Sequence, residues 1–287
     1  MSKTLRSLFG LKFNPFGSEL PIEALLMTPR VEDFCWRIEH GLVSEGGFAL
    51  ITGDPGTGKS VALRLLNERL EGLREVTVRV ISHPQSGLAD FYREMGDLFG
   101  VSLKPSNRWG GFRSLRERWL AHIDSTLCRP ILLIDEAQEM GADVVSELRI
   151  LSSARFDSRN LLGVVLGGDG RLIHKLQRQE LLPLGSRIRT RLFLERASKT
   201  ELVDCLRHLL KTAGAAKLMT PELMDTLTDH SVGNYRGLVI MAGDLLAAAA
   251  RRGLDRLDDK LYLEMYASPA EVPEPPPKPR RAPRRRR

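Results

Sequence analysis

Cysteine is scarce in this 287-residue chain. Cys35, Cys128 and Cys205 lie far apart and are odd in number. That excludes a disulfide framework and any close metal-ligand spacing, and it points to a reducing compartment, hence the cytoplasm. Long apolar runs are missing too. No stretch reaches the roughly 18 uninterrupted apolar residues of a membrane span; Leu238 to Ala250 comes nearest, and Asp244 breaks it. The opening Met1-Ser2-Lys3-Thr4-Leu5-Arg6 lacks the apolar segment and small-residue cleavage site of a secretion signal. Aromatic residues make up only 6%, and there is no internal repeat. What is present suffices for a core: 42% of residues are apolar, and the length suits one large domain or a core with a small second domain.

The net charge of +7 is unevenly spread. Lys278, Arg280, Arg281, Arg284, Arg285, Arg286 and Arg287 outweigh Glu271 and Glu274, so residues 271–287 carry +5 and the preceding 270 residues only +2. From Ser268 onward prolines and charges dominate, the composition of a disordered tail.

The octapeptide Gly53-Asp54-Pro55-Gly56-Thr57-Gly58-Lys59-Ser60 fits G-x-x-x-x-G-K-[ST], the phosphate-binding loop. Phe48-Ala49-Leu50-Ile51 before it reads as a buried strand, and the run from Val61 to Leu66 after it as a helix. Glycines let successive N–H groups point at one anion, and the helix N-terminus adds partial positive charge. Lys59 is expected to reach the β- and γ-phosphates and Ser60 to ligate Mg²⁺. Ile131-Leu132-Leu133-Ile134 ends in Asp135-Glu136. Asp135 is expected in the Mg²⁺ shell, and Glu136 is the candidate that polarises the attacking water. Arg187, Arg189 and Arg191 cluster before an expected fifth strand, Arg191 to Leu194, and one of them is a candidate for donation to a neighbouring subunit's nucleotide. Arg236, at the start of a later helix, is a candidate for contact with the γ-phosphate.

Strands and helices alternate through the middle of the chain. Strands are expected over 76–80, 131–134 and 162–166, and helices over 88–99, 112–127 and 143–153. This alternation implies a parallel sheet with helices on both faces and a ligand site beyond the carboxyl ends of the strands. After Ser198 the strand signals stop and four helices are expected, over 199–211, 221–229, 235–252 and 258–266, with Ser198 and Thr220 as N-caps. A further helix is expected from Val31 to Leu42. In the N-terminal stretch, Phe13 and Phe16 either pack on the core or belong to a segment covering the adenine side of a nucleotide.

These features together resemble the AAA+ ATPases, and more narrowly the ExeA-like group of secretion-pathway ATPases and transposition ATPases of the TnsC and MuB kind. The resemblance spans about residues 7–268. It rests on Phe9-Gly10-Leu11 with Asn14-Pro15-Phe16, Gly47 to Gly53 running into the loop, Asp135-Glu136-Ala137-Gln138, Leu166-Gly167-Gly168-Asp169, Ser186-Arg187-Ile188 and Gly233-Asn234-Tyr235-Arg236. It implies an α/β P-loop NTPase fold with a five-stranded parallel sheet flanked by helices and a small C-terminal helical lid domain. The implied organisation is an N-terminal extension over 1–45 that covers the nucleotide site, an ATPase core over 46–197, a lid over 198–267 and a basic tail over 268–287. By position, Gly53 to Val61, Asp135 and Asp169 become nucleotide-binding residues, with Asp169 at the sensor-1 place, where an acid is unusual. Arg187 becomes the arginine finger acting in trans and Arg236 the sensor-2 residue.

The resemblance implies ATP and Mg²⁺ as ligands, hydrolysis at subunit interfaces, and a homo-oligomer, ring or helical filament. Clustered arginines favour polyanions through counterion release. With the subgroup, this makes DNA the expected partner, through Arg284, Arg285, Arg286 and Arg287 and, on the body, Lys104, Arg108 and Arg113 around Trp109. The function expected first is regulation of DNA transposition, with a transposase or target-selection protein as further partner. The alternative is an ATPase assisting assembly of a secretion or envelope machine. Secretion-type members look longer, with a membrane span and a cell-wall-binding portion, neither of which is expected here.

Overall fold

The structure, a computed structural model, describes residues 7–266 apart from 82, 103–106 and 156–157. Lys104 and the arginine tail lie outside the described residues.

Helix α1 (Pro29–Arg37) begins at the Thr28 cap, whose side chain accepts from the Val31 N–H. The helix expected to run on to Leu42 instead passes into a π-helical turn over Ile38–Leu42. Strand β1 (Gly47–Gly53) is buried along its whole length. It leads through the phosphate loop into α2 (Lys59–Glu71). Next come β2 (Val78–Ile81), α3 (Leu88–Phe99), α4 (Arg108–Thr126), β3 (Ile131–Ile134) and α5 (Ala142–Ser152). A short hairpin, β4 (Ser153–Ala154) and β5 (Arg159–Asn160), precedes β6 (Gly163–Gly168), α6 (Gly170–Leu176), α7 (Leu182–Gly185) and β7 (Ile188–Leu194).

The main sheet has the order β2-β3-β6-β1-β7, and every pairing in it is parallel. Alternation along β1 sends Phe48 and Leu50 into a core with α3, α4 and α5, and Ala49 and Ile51 into a second core with α1 and α2. That is why β1, β3 and β6 read as continuous apolar runs. β2 is an edge strand with exposed middle residues, as its mixed sequence implied. β7 is the other edge and is longer than expected: it starts at Ile188 instead of Arg191, so Arg189 as well as Arg191 lies within the strand. They escape an apolar reading because an edge strand keeps one flank in water. α4 likewise starts earlier than Phe112, because the Asn107 side chain caps Gly110.

Four helices follow: α8 (Lys199–Thr212), α9 (Pro221–Ser231), α10 (Tyr235–Arg252) and α11 (Asp259–Tyr266). Ser198 and Glu201 form a reciprocal capping box, and Thr220 caps α9. Leu202, Leu206, Leu223, Leu227, Leu238 and Leu245 build a third core that is separate from the sheet. Leu11 and Phe16 are buried in this helical core, with Phe13 packed on it, and the Lys12 N–H donates to the Ala213 carbonyl (3.0 Å). Phe13 and Phe16 therefore belong to the packing of the helical unit, and the wall beside the phosphate loop is made further along, from Leu20 to Val31. No helix among the described residues is long and apolar enough to cross a membrane.

Candidate nucleotide site

The parallel sheet delivers three loops to one edge: Gly53–Lys59 after β1, Asp135-Glu136 after β3 and Asp169 after β6. In the first loop, Lys59 is 6% exposed, and its ammonium donates to the Gly53 and Asp54 carbonyls (2.9 and 3.1 Å). It forms no ion pair with a carboxylate among the described residues. With only carbonyl oxygens as partners, no carboxylate competes with an external anion for this ammonium. The hydroxyl of Thr57 donates to the Asp54 carbonyl (2.8 Å), which closes the turn. Ser60 is exposed in the first turn of α2 and Val61 partly so.

At Gly53 and Gly56 the loop has no room for a side chain. A Cβ on Gly53 would lie 2.4 Å from the Leu194 carbonyl oxygen, and one on Gly56 (φ +85°) would lie 2.2 Å from Asn234 Oδ1. These amides, the buried ammonium and the helix N-terminus fit a nucleotide phosphate chain.

Asp135 directly follows β3, and its carboxylate accepts the Glu136 N–H (2.9 Å). Glu136 takes up a left-handed backbone (φ 53°), uncommon for a residue with a side chain. Its carboxylate accepts from Gln138 Nε2, while Gln138 Oε1 accepts the Asp169 N–H (3.3 Å). Gln138 is 5% exposed, so the acid pair is tied to the end of β6 through a buried amide.

Asp169 stands where the sequence placed it, but its carboxylate is differently employed. It caps α6 by accepting the Arg171 N–H (2.8 Å) and is paired with the Arg171 guanidinium (2.9 Å). A capping acid needs no phosphate, which accounts for an aspartate at this place.

Arg187 is not brought to the loop of its own chain. It precedes Ile188, which lies beside Phe48 in the sheet, whereas Gly53 lies beside Leu194. Six residues of strand, at about 3.3 Å each, separate the two ends by roughly 20 Å. Arg189 pairs with Glu45 (2.8 Å), and Arg191 donates to the Gly185 carbonyl (3.2 Å). Arg236 follows Tyr235, whose N–H donates to the Gly56 carbonyl (3.1 Å). It is exposed in the first turn of α10, and its side chain makes no hydrogen bond or ion pair with another described residue.

Next to the loop lies a cavity of about 360 Å³ walled by Leu25, Val31, Val61, Cys205, Leu209 and Tyr235, among others. It is mostly apolar and open to Gly58, and its volume lies within the range of ordinary ligand pockets, roughly 300–1,000 Å³. Burial pushes the Cys205 thiol up to about 12, so it lines the wall as a neutral group. A larger open depression of about 880 Å³, around Lys12 and Arg64, lies away from the three loops. The residues of the 360 Å³ cavity come from four separate stretches of chain; Thr57, Gly58, Val61 and Tyr235 stand in motifs, but no motif announced the stretches from Leu20 to Val31 and from Ala197 to Leu209. Gln138 and Asn234 lie inside the Asp135-Glu136-Ala137-Gln138 and Gly233-Asn234-Tyr235-Arg236 segments, but nothing in the sequence signalled their contacts.

Of the basic residues around Trp109, Arg108 is committed to the buried Glu147: its Nε donates to Oε1 (3.0 Å) and its Nη2 to Oε2. Arg113 pairs with Glu117 (2.7 Å) one turn along the helix. Trp109 itself is 73% exposed and stacked on Phe112. These are poorer candidates for phosphate contact than the sequence implied, because each guanidinium already has an acid.

Residues 41–176 match the family described as AAA domain. The chain is 30% identical over 253 residues to General secretion pathway protein A of Aeromonas hydrophila, an alignment covering 87% of this chain and 45% of that one. It is 24% identical over 204 residues to ATP-dependent target DNA activator B of Escherichia phage Mu, covering 64% and 61% respectively. The chain thus spans about half the length of the first relative and under two thirds of the second. Among solved structures, the Aeropyrum pernix ORC2 protein superposes with a TM-score of 0.66 at 16% identity, over 89% of this chain and 71% of that one. That likeness concerns the fold.

Proposed function

We propose, from the premise that the chain belongs to the AAA domain proteins of the P-loop AAA+ fold, that it hydrolyses ATP and uses its nucleotide state to control assembly on DNA. The observation that carries the ATPase reading is the convergence of a buried, acid-free Lys59 with the Asp135-Glu136 pair at one sheet edge. Lys59 and the loop amides would bind the phosphates. Ser60 and Asp135 would hold Mg²⁺, which supplies positive charge against the phosphate oxygens. Glu136 would orient the attacking water once its hydrogen bond from Gln138 yields. Arg236 stands in reach of the loop in the same chain, while Arg187, at the far edge of the sheet, would serve a neighbouring subunit. Turnover then requires assembly, the basis for a homo-oligomer.

DNA is favoured as the surface of assembly by two observations: the seven cations between Lys278 and Arg287, and the likeness to a target DNA activator. On this reading the chain regulates transposition together with a transposase or target-selection protein. The second reading, an ATPase serving a secretion or envelope machine without DNA, is favoured by the higher identity to a secretion pathway protein over most of this chain. Turnover and sedimentation with and without duplex DNA separate the two. DNA-stimulated hydrolysis, and filaments seen only with DNA and a non-hydrolysable ATP analogue, support the first. Unchanged turnover and sedimentation refute it. Removing residues 271–287 is expected to weaken DNA binding and flatten its salt dependence.

A further inference from the structure

The first half of the phosphate loop is met from beyond β7 at three successive residues. Arg196 Nε lies 3.9 Å from the Asp54 carboxylate. Asn234 Nδ2 donates to the Pro55 carbonyl (3.1 Å). The Tyr235 N–H donates to the Gly56 carbonyl (3.1 Å). The chain reaches the loop through a tight turn in which Val232 (φ 50°) and Gly233 (φ 77°) are both left-handed. A branched residue is poorly suited to that region, so the turn is held by its surroundings; the Gly233 carbonyl accepts the Ala197 N–H (2.9 Å). Asn234 also occupies the space a Cβ on Gly56 would need. The glycine at this place in the loop is therefore demanded by the helical unit, whatever the phosphates require.

We propose that Asn234 is a positioning residue for nucleotide binding: by holding the Pro55 carbonyl it makes the helical unit, and not the loop alone, set the direction of the Gly56 amide. In a trans peptide the C=O and the following N–H point in opposite directions. A donor on the Pro55 oxygen therefore turns the Gly56 N–H away from Asn234. The Tyr235 N–H does the same to the next peptide through the Gly56 oxygen. The inference rests on the nucleotide-binding reading of this loop and adds a regulatory consequence. Any partner that pulls α10 away weakens nucleotide binding without touching Lys59, Ser60 or the acid pair.

Asn234 has a second job, since its Oδ1 caps α10 by accepting the Gly237 N–H (3.0 Å). Asn234→Ser separates the two. Serine caps nearly as well and stays neutral, but its side chain is too short to donate to Pro55. Asn234→Ala removes both functions. The test is the dissociation constants of MgATP and MgADP by titration calorimetry on the full chain, with melting curves in parallel. Asn234→Ser is expected to weaken both nucleotides about three- to tenfold, the worth of one hydrogen bond, with Asn234→Ala no better. Wild-type affinity in Asn234→Ser overturns the proposal and leaves Asn234 a cap only. Should wild type itself bind neither nucleotide, the ATPase reading falls instead. Should Asn234→Ser not fold, amide exchange on wild type decides: slower exchange at Tyr235 with MgADP supports the clamp, and unchanged exchange refutes it.

Discussion

Replacing Arg108 tests how far the packing around α4 depends on one charge. The Glu147 side chain is 4% exposed and that of Arg108 59%. In Arg108→Ala the carboxylate keeps only the Tyr92 hydroxyl. Stranding one partner of a fully buried pair costs about 3–5 kcal/mol. Here water reaches the Arg108 side of the pair, so about 2 kcal/mol is the reasoned cost, a fall in melting temperature of about 4–8 °C for a unit of this size. Acidity gives the argument a sign. In wild type, burial pushes the Glu147 carboxyl up, but the Arg108 hydrogen bond, the Tyr92 hydrogen bond and the Arg108 charge outweigh it, and the carboxyl titrates below its ordinary 4.5. Its contribution is therefore present above that value and is lost as pH falls. Without Arg108, burial dominates and the carboxyl titrates above the ordinary value, so stability is lost as pH rises through it. The deficit is expected to be largest near neutrality and to shrink toward about pH 4. Calorimetric melts across that window measure it. A melt within about 1 °C of wild type, or a deficit that grows on acidification, refutes the reasoning. Arg113→Ala, which disrupts only an exposed pair on one helix, serves as the control and is expected to leave the melt unmoved.

Lys59→Ala should abolish measurable MgATP binding while leaving the fold intact, as circular dichroism would show; retained binding would remove Lys59 from the phosphate site. Glu136→Gln should still bind MgATP but lose about 100-fold or more in turnover, trapping an ATP-bound assembly on a sizing column, and normal turnover would sink its role. The backbone hydrogen bond from Ser198 holds the Glu201 carboxyl below the usual range, against burial. Its stabilising contribution is present above the ordinary carboxyl value and disappears as pH falls. Glu201→Gln should therefore flatten part of the acid limb of the stability curve, and an unaltered limb would show that the capping box carries none of it.

Local chemistry settled much of this protein in advance. The phosphate loop, the acid pair after Ile134 and the caps at Ser198 and Thr220 were legible because each depends on neighbours within a few residues. The parallel sheet was legible because strands buried on both faces must be continuously apolar, as β1, β3 and β6 are. What folding alone decided involves partners far apart in the chain. Phe16 joined the helical core rather than the nucleotide wall. Arg108 found Glu147, Asp169 turned to Arg171, and Asn234 came to rest on Pro55, 179 residues away. A side chain's charge and length are written in its own letter. Which carbonyl or carboxylate it meets depends on how separate elements pack, and no local pattern encodes that.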